Sequence, residues 1–131
     1  EQVRLLSNLE TDQQKLIQIV LCGQPELRDR LARPDLRQLR QRITVRYHIP
    51  PLTIEDTMMY IRHRLWVAGS DGRLVFDAAA VREIYKYSKG TPRMINAVSD
   101  NALLAGYVGR TWQIDARCVR RAIDQLEGKT R

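Results

Sequence analysis

The sequence predicts a remnant of an α/β sheet followed by an all-α cap, mostly helical with two short strands. Three features predict it: an apolar run ending in glycine, an alternating run ending in two prolines, and a series of capped amphipathic segments. Ile17 to Gly23 (IQIVLCG) is almost continuously apolar, the pattern of a strand covered on both faces in a parallel sheet. Ile43 to Ile49 (ITVRYHI) alternates, placing Ile43, Val45, Tyr47 and Ile49 on one face and Thr44, Arg46 and His48 on the other, as at a sheet edge. Pro50-Pro51 stops that run, because proline cannot continue a ladder, and a hinge is placed there. Residues 1–49 therefore read as the sheet part and residues 50–131 as the helical part.

Glu1 to Gln14 reads as the tail of a helix, with Val3, Leu5, Leu6 and Leu9 apolar. Pro25 opens a helix with Leu27 and Leu31 four apart, and Pro34 opens another with Leu36 and Leu39 three apart. Everything after the hinge reads helical. Thr53 and Asp56 make a T-x-x-D capping box ahead of a stripe of Met58, Ile61 and Leu65. Gly69 to Gly72 is a turn. Phe76 and Val81 bracket Asp77 as a hydrophobic staple around an N-cap, and that helix stops at Gly90. Thr91 is expected to cap the next helix, with Pro92 at its first position and Ile95, Val98 and Ala102 facing inward. Ile114, Asp115 and Val119 repeat the staple, and Val119, Ala122, Ile123 and Leu126 stripe the last helix.

Composition narrows the class. A length of 131 residues suits one domain or a piece of a larger one, and 44% apolar residues suffice for a packed core. No stretch approaches the roughly 18 consecutive apolar residues of a membrane span. The chain begins at Glu1 with no signal pattern, so it is expected to be cut from a longer protein. Cys22 and Cys118 lack the short-spaced partners of a zinc site and read as two buried thiols of a reduced cytosol. Net charge is +7, carried by 18 Arg against 4 Lys, a bias that suits phosphate or subunit contacts or a solvated surface.

Three motifs could carry chemistry. In Gly90-Thr91-Pro92-Arg93-Met94-Ile95-Asn96, Arg93 sits in the first turn of a helix, where a cation opposes the helix dipole unless an anion is held nearby. That anion is either a phosphate reached across a cleft or an ion-pair partner such as Asp77 or Glu83. Gln24, in Gly23-Gln24-Pro25-Glu26, follows the first strand; its amide either positions a water or a phosphate beyond the sheet or simply faces outward at a helix start. In Leu36 to Arg42, the arginines Arg37, Arg40 and Arg42 form a basic face from which one guanidinium could serve a neighbouring subunit. No G-x-x-x-x-G-K-[ST] loop or paired acidic strand end is present, and His48 and His63 lack ligand partners, so the chain alone carries no complete active site.

Taken in order, EQVRLLSNLET, QIVLCGQPELRDRL, LRQLRQRI, YHIPPL and GTPRMIN resemble the C-terminal portion of a P-loop AAA+ ATPase domain. More closely, they are similar to the family of general secretion pathway protein A and its pilus-biogenesis and exosortase-associated relatives. The resemblance runs from Glu1 to about Leu126. It implies that Gln24 stands at the sensor-1 position, Arg42 at the arginine finger with Arg40 as the alternative, and Arg93 at the sensor-2 position of the lid. Thr91 stands where the motif would carry Ile. The resemblance further implies ATP and Mg2+ in the intact protein, with Walker A and Walker B motifs upstream of Glu1 and no nucleotide held or hydrolysed by this chain alone. It implies a homo-oligomeric ring on the cytoplasmic face of the inner membrane, coupled to an inner-membrane component in assembling a secretion or pilus system. With the first AAA+ strand missing, the two predicted strands are expected to rearrange or to pair with another chain.

Two readings from other classes stand beside this one. A basic helical module could bind nucleic acid through Arg117, Arg120 and Arg121, alone or as the lid of a DNA-transposition helper ATPase. With 6% aromatics and no recognition helix, a nucleic-acid partner is not expected. The other is a scaffold whose lid docks a partner subunit without nucleotide.

Overall fold

The computed structural model describes residues 18–129. The chain divides into two compact units, Glu1–Ile49 and Pro50–Arg131. Among the described residues it is mostly helical, with six α-helices, one short 3-10 turn and two short strands.

In the first unit, α1 spans Glu26–Leu31 and α2 spans Arg37–Arg42, joined through a 3-10 turn at Pro34–Leu36. The first begins directly after Pro25, as expected, whereas Pro34 opens the 3-10 turn and α2 follows only at Arg37. Neither predicted strand forms. Residues 18–23 and 43–49 make no ladder, and the predicted sheet is corrected to chain without regular secondary structure there; Ile17 and the Glu1–Gln14 helix lie outside the described residues. An apolar or alternating run becomes a strand only when a neighbour satisfies its N–H and C=O groups. Neither segment supplies that neighbour to the other, so the expected rearranged sheet is absent among the described residues.

The second unit is a bundle of α3 (Ile54–Val67), α4 (Ala78–Ser88), α5 (Pro92–Val108) and α6 (Ala116–Leu126). Thr53 forms the capping box in full: its hydroxyl oxygen accepts from the Asp56 N–H at 3.1 Å, and its own N–H donates to the Asp56 carboxylate at 3.3 Å. Asp77 accepts from the Ala80 N–H at 2.6 Å, and Asp115 accepts from Arg117 and Cys118, both at 2.9 Å. Thr91 departs from expectation. It occupies the N-cap position of α5, but no side-chain cap bond forms; its carbonyl instead accepts from the Met94 and Ile95 N–H groups.

The two strands fall where only helix starts were expected. Val75–Phe76 (β1) pairs in parallel with Gln113–Ile114 (β2), and each strand runs directly into an N-cap aspartate, Asp77 or Asp115. The ladder thereby sets the starts of α4 and α6 side by side. Ile61, Val81, Ile84, Ile95, Val98, Ala102, Ile114, Val119 and Ala122 make the buried core, with Met58, Leu65, Phe76 and Ile123 packed against it. Leu126, expected in the stripe, is 40% exposed. Cys22 is exposed and Cys118 half-buried, which corrects the reading of two buried thiols.

Gly90 joins the hinge to the bundle. The helix before it ends with Lys89 in the left-handed region (φ 49°), and Gly90 continues at φ +76°. The Leu52 N–H donates to the Gly90 carbonyl at 2.9 Å. A Cβ on Gly90 would collide with the Leu52 carbonyl oxygen, so this backbone approach requires glycine.

Candidate functional site

The residues singled out for chemistry lie in both units. Gln24 is exposed at the turn into α1, its carbonyl accepting the Leu27 N–H at 2.8 Å. Arg40 is half-buried in α2, and Arg42 is exposed as the last residue of that helix, just before Ile43 turns extended at ψ 98°. The helix-to-extended junction expected at Arg42 is present. What lies beyond it is not a strand.

Arg46 has a role that no sequence motif indicated. Its guanidinium donates to the Arg40 carbonyl at 3.0 Å, capping the C-terminal end of α2, where a cation is favoured by the helix dipole. Arg46 stands four positions past the helix end, and no rule of spacing marks it.

Arg93 is exposed in the first turn of the 17-residue helix α5. The ion pair entertained with Asp77 or Glu83 does not form. Asp77 is taken up as an N-cap and Glu83 accepts from Arg120 at 3.4 Å, and no hydrogen bond or ion pair holds Arg93 among the described residues. The helix beneath it is well anchored through buried Ile95, Val98 and Ala102. An arginine thus opposes the dipole at a helix start with no ion-pair partner among the described residues, a placement costing about 0.3–1 kcal/mol. Three residues on, the Asn96 amide oxygen accepts from the Tyr60 hydroxyl at 3.1 Å, which ties α5 to α3 close behind Arg93. That bond spans 36 positions and leaves no local trace in the sequence.

The arginines of the nucleic-acid reading are engaged differently. Arg117 pairs with Asp115 at 3.1 Å and Arg120 with Glu83 at 3.4 Å. A cleft of about 120 Å³ between α3 and α5 is lined by Tyr60, Arg64, Asn96 and Ser99; Arg93 is not among its lining residues. The described residues contain no group of His, Cys, Asp and Glu that could hold a metal ion, and no helix among them is long and apolar enough to cross a membrane.

Asp115 has the most perturbed carboxyl. The Cys118 N–H, and then the Arg117 guanidinium, hold its pKa down to about 2, from an ordinary 3.8. A carboxyl with a depressed folded-state pKa contributes stability that is complete above the unfolded value and disappears as pH falls through the folded one. Thermal unfolding from pH 5 downward should therefore show a loss that develops between about 4 and about 2. Asp115→Asn should melt a few degrees lower near neutral pH and lose less than the parent over that acid range. Equal acid sensitivity of parent and variant would remove Asp115 from the account.

Over 107 residues the chain is 51% identical to general secretion pathway protein A of Aeromonas hydrophila. The chain belongs to the general secretion pathway protein A family. The match covers 82% of this chain and 19% of the relative, so the chain spans about a fifth of that protein's length. No family model and no solved structure matches it.

Proposed function

We propose that this segment of a general secretion pathway protein A family member is the nucleotide-responsive part of an AAA+ ATPase that drives assembly of a secretion system. The observation that carries this reading is Arg93, an exposed arginine with no anion beside it among the described residues, on the first turn of a rigidly packed helix. A bound ATP with Mg2+ would supply a terminal phosphate for hydrolysis. Arg93 is suited to pair with such a phosphate because a guanidinium forks onto two oxygens and stays charged throughout. Gln24 would orient the attacking water from the loop before α1, and Arg42, with Arg40 as alternative, would be offered to a neighbouring subunit. Residues 1–49 would then be the end of the α/β core and residues 50–131 the lid. The secretion role follows the name of the Aeromonas relative. The intact protein would work as a homo-oligomer on the cytoplasmic face of the inner membrane, beside an inner-membrane component of the same system.

Arg93→Ala tests the reading in two measurements. In the full-length protein, ATP turnover should fall at least tenfold. In the 131-residue chain, the melting temperature should stay unchanged or rise slightly, since the substitution removes a cation from the positive end of a helix dipole. Unchanged turnover would refute the role of Arg93 in sensing nucleotide. A loss of several degrees in the isolated chain would instead make Arg93 a structural residue.

A further inference from the structure

The strongest feature outside the nucleotide reading is one end of the helical unit. Helices α3 and α5 run side by side in the same sense: Tyr60 is bonded to Asn96, and Arg64, Ala68, Asp100 and Leu103 line the one cleft between them. Their C-terminal ends therefore come together, and the β pair follows, with the Val75 N–H donating to the Trp112 carbonyl at 3.0 Å. This end exposes large apolar side chains: Trp66 (72%), Tyr107 (82%), Val108 (74%) and Trp112 (58%), with Val67 beside Trp66.

The same end is basic. Arg62, Arg64, Arg73 and Arg110 stand on it, all exposed, against two exposed acids, Asp71 and, on the cleft beside Arg64, Asp100. Four arginines less two aspartates leave +2, and Asp71 is already held by Arg73 at 2.6 Å. The Arg73 guanidinium also lies 5.0 Å over the Trp112 ring, so a cation and an aromatic are presented together.

We propose that this aromatic, arginine-flanked end docks on an anionic lipid surface. Tryptophan and tyrosine favour the boundary between headgroups and acyl chains, where an apolar body and a polar tip are both satisfied. Valines between them add apolar area that can be buried there, and arginines keep their guanidinia among anionic headgroups while their stems lie on apolar surface. A second copy fits less well, since matching ends would bring two arginine-rich, net positive surfaces together. Single-stranded nucleic acid asks for stacking rings along a groove and gains nothing from Val67 and Val108. The contact lies on the membrane rather than across it and does not depend on the nucleotide reading.

Vesicle sedimentation of the 131-residue chain tests the proposal, with tryptophan emission as a second readout. With about 30% phosphatidylglycerol in phosphatidylcholine, the chain should partition onto vesicles with a blue shift, at least tenfold more strongly than onto phosphatidylcholine alone. Raising salt from about 0.1 M to about 0.5 M should weaken that binding. Trp66→Ser with Val67→Ser, and separately Arg62→Gln with Arg64→Gln, should each reduce it at least tenfold with circular dichroism and melting unchanged. Arg117→Gln with Arg121→Gln, which leaves this end untouched, should not. No partition onto anionic vesicles overturns the proposal, as does equal loss in the α6 control. So does a result in which Trp66→Ser abolishes self-association or oligo-dT binding while vesicle binding persists.

Discussion

In the full-length protein, Arg42→Ala is expected to lower ATP hydrolysis by about 10³–10⁵-fold, the range set by an arginine that stabilises charge on a transferring phosphoryl group. Arg42 is exposed at the last position of α2, where the helix gives way to extended chain, so its substitution should spare the fold. ATP binding should persist, because the charge it would stabilise develops during transfer. An exposed ion pair, worth about 0–1 kcal/mol, could not produce an effect of that size. If the arginine acts on a neighbouring subunit, mixing Arg42→Ala with a variant unable to bind nucleotide should restore part of the activity. Each supplies what the other lacks. Near-normal turnover in Arg42→Ala with loss in Arg40→Ala would move the role to Arg40. If neither matters and mixing restores nothing, catalysis is not shared between subunits.

Gly90→Ala should be strongly damaging to the helical unit, costing about 3 kcal/mol or more. Two penalties add. The backbone sits at φ +76°, which a residue with a Cβ adopts at a cost of about 1–2 kcal/mol. The new Cβ would also meet the Leu52 carbonyl oxygen, which is backbone and cannot swing aside. For a unit of this size the midpoint should drop by more than about 10 °C. Gly72→Ala separates the two terms. Gly72 has φ +89° with nothing within 4 Å of a new Cβ, so it should lose about 1–2 kcal/mol only. Equal losses at both positions would show that the close approach of Leu52 contributes nothing. The glycine of the GTPR motif is thus required by packing whatever Arg93 does.

Features that depend on neighbours within one or two turns are legible in the residue order alone. Thr53 with Asp56, Asp77 before Ala80, and Asp115 before Cys118 cap helices because donor and acceptor lie three positions apart. The stripe of Ile95, Val98 and Ala102 is buried because helical periodicity places it on one face. The motif order across the chain likewise pointed to its family. Arg93 could be placed on a first turn, but not shown to lack a partner, since Asp77 and Glu83 were equally eligible until each was found engaged elsewhere.

Features that need a distant partner become visible only in the packed chain. Residues 18–23 and 43–49 carry strand patterns and form no strand, because a ladder requires a second chain segment that apolarity and alternation cannot supply. Val75–Phe76 and Gln113–Ile114 carry almost no pattern, yet they pair in parallel across 38 positions directly ahead of α4 and α6. The contact between Gly90 and Leu52, the bond between Tyr60 and Asn96, and the pairing of Arg120 with Glu83 join residues 36 to 38 positions apart. Local propensity has no access to such separations, and only the packed bundle brings these groups within reach of one another.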